Sequence, residues 1–182
     1  MSTYHFQIRV GRRDDAPFMA PLIMAALGIE NVNPNHLMVL SNVCAQKNVL
    51  YSYHNTLVAE WDGKPVGILI SYDGGNYASW RKATFAPLQQ TSGVDFDQMQ
   101  DETKAGEWYF DTLSILPEFQ RRGIGRALLQ FGINRAQENG FTELVLAVDP
   151  ENLPAIKLYQ SLGFVDKGEL YIFDYPYRKY VL

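Results

Sequence analysis

The chain has 182 residues, 47% hydrophobic and 13% aromatic, enough to bury a full core and too apolar for a disordered protein. Its net charge of −4 lacks the basic excess of a nucleic-acid-binding module, and no apolar run reaches the roughly 18 residues that cross a bilayer. Cys44 is the only cysteine, which excludes an internal disulfide, and the start MSTYHFQIRVGRRDD has no apolar signal core, so one soluble cytoplasmic domain with no nucleic-acid or membrane partner is expected.

Residues 5–10 (HFQIRV) alternate and predict a first strand. Asp14 and Asp15 mark an acidic helix start with Pro17 in its first turn, and the apolar run over 18–27 predicts a helix ended near Gly28. A second helix is expected after Asn33-Pro34, through Leu37, Leu40, Val43 and Cys44. Residues 56–61 and 65–72 read as two strands, and Asp62-Gly63-Lys64 between them is a hairpin signal. Residues 74–106 read as an insertion or lid with little regular structure beyond a short helix over 80–88. Its acidic residues Asp95, Asp97, Asp101 and Glu102 either attract a cationic amine or form a solvated acidic loop.

Residues 107–116 (EWYFDTLSIL), rich in aromatic and branched side chains, predict a strand closed by Pro117. Ile124, Ala127, Leu128 and Phe131 recur at helical spacing, and that helix stops near Asn139-Gly140. Residues 144–148 form another strand, Asn152 caps a short helix ending at Gly163, and 164–167 and 170–174 are closing strands. The last stretch, LYIFDYPYRKYVL, borders an acceptor pocket or packs in the core or a homodimer interface, with Pro176 limiting a central strand. This order predicts a mixed α/β fold with a central strand–helix–strand crossover.

The stretch QRRGIGRALL lies between that strand and its helix. Unpaired amides and a positive dipole at a helix start suit a diphosphate, and Gly123 and Gly125 permit close approach. A dinucleotide fingerprint would need glycine where Leu128 stands, and a triphosphate loop would need Gly-Lys-Ser/Thr. A diphosphate site and a plain basic turn remain open on this stretch alone.

Its context resembles the GNAT superfamily of acetyl-CoA-dependent N-acetyltransferases. Leu113-Ser114-Ile115, Pro117 and Gln120-Arg121-Arg122-Gly123-Ile124-Gly125 match one family block; Asn152, Ala155, Leu158-Tyr159 and Gly163-Phe164 match the second. The resemblance is strong over 107–168 and implies a mixed, mostly antiparallel central sheet flanked by helices. It implies acetyl-CoA as co-substrate, held by backbone amides of Arg121, Arg122, Gly123, Ile124, Gly125 and Arg126, and by the open edge of Leu113, Ser114 and Ile115. It also implies a cofactor contact by Asn152, which is equally a plain N-cap, and a catalytic role beside the coenzyme A sulfur for Tyr159, which is equally a core tyrosine. The acceptor would be a small-molecule or peptide amine.

In some members of the family a glutamate on the strand before the second helix takes the amine's proton, but residues 144–148 (LVLAV) hold no acid. Alternation puts Glu107, Tyr109 and Asp111 on one strand face, so Glu107, Asp111 or an ordered water is the expected proton acceptor. His5, His36 and His54 form no metal-ligand spacing, so no metal is expected, and Cys44 reads as core. Two other readings stand beside direct acetyl transfer: a coenzyme-A-binding sensor or scaffold without catalysis, and transfer of a longer acyl chain.

Overall fold

The computed structural model describes residues 6–29, 32–97, 99–172 and 174–182. In chain order the strands and helices are β1 (Phe6–Val10), α1 (Ala16–Ala26), α2 (Pro34–Cys44), β2 (Thr56–Trp61), β3 (Lys64–Asp73), α3 (Tyr77–Ser92), β4 (Glu107–Ile115), α4 (Ile124–Glu138), β5 (Glu143–Val148), α5 (Leu153–Ser161), β6 (Val165–Ile172) and β7 (Tyr175–Val181). His5, expected in the first strand, lies outside the described residues. The strands form one 7-stranded sheet in the order β1-β2-β3-β4-β5-β7-β6. All pairings are antiparallel except β4 with β5, where α4 makes the crossover. The mixed, mostly antiparallel sheet flanked by helices is therefore the one expected.

Two cores cover the two faces. On one face α1, α2 and α3 bury Met19, Ile23, Leu40, Tyr77 and Phe85 against Ile68, Ile70, Tyr72 and Tyr109. On the other, α4 and α5 bury Leu128, Leu129 and Ile133 against Leu69, Phe110 and Leu146. The alternating pattern of β3 and β4 feeds both layers, as a sheet buried on both faces requires. Gly132 lets α4 come close: a Cβ there would meet Leu69 Cδ2 and Phe110 Cε1 at 2.7 Å.

Two expectations need correction. Residues 74–106 contain a 16-residue helix, α3, not a short one over 80–88. Pro87 inside it and its polar outer face hide the periodicity, while buried Tyr77, Thr84, Phe85 and Leu88 seat it against α2 and the sheet. The second correction is at the C-terminal end. Residues 164–167 and 170–174 were expected as two strands; instead β6 is continuous and β7 lies between β5 and β6. Pro176 is tolerated because β5 pairs only with residues 178–181 of β7, so its missing N–H faces no neighbour there.

The segment after α3 is tied down. Phe96 stacks on Phe85 at 4.7 Å, Arg81 Nη1 donates to the Met99 carbonyl at 2.6 Å, and Thr103 Oγ1 donates to Glu107 at 2.9 Å. Gly74 makes that closure fit, since a Cβ there would lie 2.3 Å from the Lys104 carbonyl oxygen and 2.4 Å from Thr103 Oγ1. Gly74→Ala is expected to cost about 1–3 kcal/mol, read as a lowered unfolding midpoint. An unchanged midpoint would contradict the close packing of this segment. Among the described residues no helix is long and apolar enough to cross a membrane.

Candidate active site

The sheet opens in its middle. Parallel pairing of β4 with β5 runs over Glu107↔Glu143 to Phe110↔Leu146 and stops there. On its other side β4 pairs with β3 as far as Ile115↔Gly67, but the register shifts: Ile70 faces Thr112, Ser71 faces Phe110, and Asp111 has no partner. A bulge of this kind bends its strand and re-aims a side chain. Beyond Phe110 the β5-facing edge of Leu113, Ser114 and Ile115 therefore carries backbone donors and acceptors with no strand beside it.

The turn before α4 lies at the end of that opening. Arg121 adopts φ 58° and Gly123 φ 83°, the left-handed conformations that a tight turn into a helix needs. Gly123 is the N-cap and provides no side-chain cap. The Ala127 N–H donates to the Gly123 carbonyl at 3.1 Å, closing the first turn and leaving the amides of Ile124, Gly125 and Arg126 without helical acceptors. A Cβ on Gly125 would sit 3.3 Å from Ile115 Cδ1 and 3.6 Å from Leu158 Cδ2, so this glycine brings the helix start against β4 and α5. Uncapped amides, a positive helix end and an adjacent open strand edge fit the pyrophosphate and pantetheine of a coenzyme A thioester.

Among the described residues, Arg122 and Arg126 have protein partners. Arg122 lies 5.1 Å over the Trp61 ring and 5.5 Å over Phe119, and donates to the Glu118 carbonyl. Arg126 Nη1 donates to Ser161 Oγ at 2.7 Å, tying α4 to the end of α5. Both side chains shape the turn as well as charging it.

Asn152 caps α5, its side chain accepting from the Ala155 N–H at 3.2 Å. Tyr159 packs edge-on against Phe164 at 6.1 Å, within the layer that holds α4 and β4. Burial pushes its pKa up to about 12, so the phenol stays protonated, and among the described residues its hydroxyl has no hydrogen-bond partner. It is thus a proton-bearing donor with its capacity unspent.

The acids separate into two environments. Glu107 is 1% exposed and is held by Lys179 Nζ at 2.7 Å, Thr103 Oγ1 and the Lys104 N–H. Burial alone would raise its pKa; the Lys179 ammonium and these hydrogen bonds outweigh that and hold it below the usual carboxylate range. Among the described residues Asp111 has no cationic partner. It accepts a short hydrogen bond from the Tyr72 hydroxyl and another from Thr112 Oγ1 at 2.8 Å, and burial raises its pKa.

Glu102 is a residue the sequence reading placed only in an acidic run. Asp95, Asp97 and Asp101 are exposed, and Asp101 pairs with Arg81 at 2.9 Å. Glu102 instead turns inward and accepts from Tyr109 Oη at 2.7 Å and Tyr77 Oη at 3.1 Å. Burial, then the nearby charge of Asp111, pushes its pKa up to about 7. Only contacts made after folding distinguish it from its three acidic neighbours. Cys44 is fully buried, and burial raises its thiol to about 12. Among the described residues no three His, Cys, Asp or Glu side chains converge to hold a metal.

The acetyltransferase (GNAT) family model matches residues 38–164. The [ribosomal protein bS18]-alanine N-acetyltransferase of Escherichia coli K12 is 34% identical over 94 residues, covering 47% of this chain and 64% of that protein. The first curated relatives are spanned for only 20% and 64% of their own length. An N-acetyltransferase from Staphylococcus aureus Mu50 superposes with a TM-score of 0.83 at 23% identity, covering 97% of this chain and all of that one. A putative acetyltransferase from Salmonella typhimurium, solved with its cofactor acetyl-CoA, superposes with a TM-score of 0.61 at 18% identity over 97% of this chain and 91% of that one. With the family model spanning well over half of its residues, both sequence blocks in place and the sheet opened between β4 and β5, this chain belongs to the GNAT acetyltransferase family.

Proposed function

We propose that this chain transfers an acetyl group from acetyl-CoA to a primary amine by direct attack of the amine on the thioester. The observation that carries the reading is the opening between β4 and β5, which has an uncapped helix turn at one end and a bulged, carboxylate-bearing strand at its base. The amides of the 121–126 turn would hold the pyrophosphate, and the free edge of Leu113, Ser114 and Ile115 would pair with the pantetheine arm. A backbone N–H on that edge would polarise the acetyl carbonyl. Asn152, already engaged as an N-cap, would border the same donor. The alanine N-acetyltransferase among the relatives supports an amine acceptor, and the neighbour solved with acetyl-CoA supports the donor.

Asp111 is the proton acceptor of this reading, and Glu107 is not. Glu107 already neutralises Lys179 and braces the 103–107 turn, whereas Asp111 lies beside the triplet with no cation to satisfy it. An amine is mostly protonated near neutrality, so a carboxylate must take its proton before attack. A free carboxylate at Asp111 and an unspent hydroxyl at Tyr159 together disfavour a sensor without catalysis.

Tyr159 stabilises the leaving thiolate by donating a hydrogen bond. A phenol near 12 does not readily surrender its proton to a thiolate whose conjugate acid lies near 8.5. A hydrogen bond to a charged group contributes roughly 1.5–3 kcal/mol. Tyr159→Phe should therefore lower kcat about 10- to 100-fold. The assay follows free thiol release from acetyl-CoA over a panel of primary amines and amino-terminal peptides. Undiminished turnover in the variant would remove this role; coenzyme A binding with no turnover for any amine would favour the sensor.

A further inference from the structure

We propose that the layer between α4 and the sheet holds a second site, for a small monovalent anion such as chloride, formed by Arg135, Ser71 and Trp108. Three fully buried side-chain atoms have no hydrogen-bond partner among the described residues: Arg135 Nη1, Ser71 Oγ and Trp108 Nε1. Each has given up its bonds to water, so three in one layer call for a common partner.

The fold brings all three to one end of that layer. Leu69 and Phe110 lie under α4. Ser71 follows Leu69 by two residues and pairs with Phe110, so it faces the same side; Ile70 and Tyr72, which flank it, belong to the opposite core. Trp108 precedes Phe110 by two residues, lies in the same layer and is diagonal to Ser71, a separation that a long side chain spans. On the helix, Gly132 seats α4 against Leu69 and Phe110, and Arg135 comes one turn later, toward the Ser71 end of β3. Its Nη2 donates to the His54 carbonyl at 2.9 Å. Thr56 pairs with Ile70, so the turn just before Thr56 runs past Ser71. One nitrogen of the guanidinium is thus fixed at that end of β3 while the other is buried and unspent.

The donor set selects an anion. Arg135 and Trp108 can only donate, and the Ser71 hydroxyl can donate as well. Arg135 adds a positive charge, which repels a cation. The protons of a water molecule would find one side-chain acceptor among the three, Ser71 Oγ. No carboxylate takes the place of an ion: burial lowers the Arg135 pKa with no acid opposing it, and Asp73, next on the same strand face, spends Oδ1 on the Gly75 N–H. A guanidinium withdrawn from water and bonded only to a neutral carbonyl gains from a counter-ion. Ser71 is 1% exposed and Trp108 7%, and α4 touches the sheet one turn earlier, so the ion must be small. The site is separate from the proposed coenzyme A turn, because Arg135 lies roughly 16 Å along the axis of α4 from Ile124. An ion there would brace the far end of the helix that begins at that turn.

The test uses the full chain, exchanged into sodium gluconate and titrated with sodium chloride at constant ionic strength. Gluconate is too large for a packed layer. The Trp108 indole N–H, assigned with Trp108→Phe, should shift saturably with chloride in 15N NMR. The unfolding midpoint should rise by about 3–6 °C at tenfold excess of chloride over its dissociation constant. Arg135→Met replaces the cation with an apolar chain and should lose both responses while staying folded. Should that variant not fold, diffraction from wild-type crystals grown in sodium bromide decides, with an anomalous peak expected beside Arg135 Nη1 and Ser71 Oγ. Three results would overturn the proposal: an indole N–H and a midpoint identical in chloride and gluconate, which would leave water as the partner; chloride responses unchanged in Arg135→Met; or no bromide peak at these atoms. None depends on turnover, so the anion site and the transferase reading stand or fall separately.

Discussion

Asp111→Asn is expected to lower kcat/KM for primary amines by about 100-fold or more, the usual worth of a positioned general base, with acetyl-CoA affinity retained. The substitution is nearly isosteric. Asn keeps one acceptor oxygen for one of the Tyr72 and Thr112 hydroxyls, and its NH2 can donate to the oxygen of the other, so the bulge and the β3 pairing should survive. What is lost is the charge that takes a proton. A second effect follows from the coupling to Glu102. The charge of Asp111 is the second cause, after burial, that raises Glu102. Removing it should let Glu102 ionise at lower pH, followed as the titration of its carboxyl carbon by 13C NMR. An undisplaced Glu102 titration would separate the two acids. Activity equal to wild type would leave an ordered water as the proton acceptor.

Glu107→Gln is expected to do the opposite: large for stability, small for chemistry. Glu107 is almost fully buried, and its loss strands Lys179 and weakens the bonds to Thr103 and the Lys104 amide. Breaking a buried ion pair by removing one partner costs several kcal/mol; the part-exposed Lys179 reduces that to about 2 kcal/mol, a fall of about 4–8 °C in the unfolding midpoint. The pH dependence has a definite sign. The folded pKa lies below the unfolded one, so the contribution is full above the unfolded value and disappears as pH falls through the folded value. Wild type and variant should therefore converge in acid. Circular dichroism melts across pH 3–8 test this, and a constant difference down to the lowest pH would contradict the ion-pair account.

These two acids mark the reach of the sequence. Alternation along β4 put Glu107, Tyr109 and Asp111 on one strand face; in the structure Tyr109 packs in the layer of α1–α3 and Asp111 bonds Tyr72 of that layer. It could not rank Asp111 above Glu107, because the partner that claims Glu107 is Lys179, 72 residues away on a strand that was itself misjudged. The proposed donor end was legible because local rules write it: a glycine turn, a helix start and a strand end lie next to one another in the chain. The acceptor end was not. Glu102, Tyr72, Tyr77 and Tyr109 come from separate segments and share no spacing, so only packing brings them together. The length of α3 was hidden by an internal proline, and the central position of β7 by another.

Every catalytic role assigned here depends on a coenzyme A thioester lying in the opening between β4 and β5. The most direct test is a backbone amide titration by NMR as acetyl-CoA is added. The account predicts the largest shifts at Leu113, Ser114 and Ile115 on the open edge of β4 and across Arg121 to Arg126, with Glu107, Trp108 and Tyr109, already paired to β5, nearly still. Saturable binding that leaves the β4 edge and the α4 turn unmoved would contradict it.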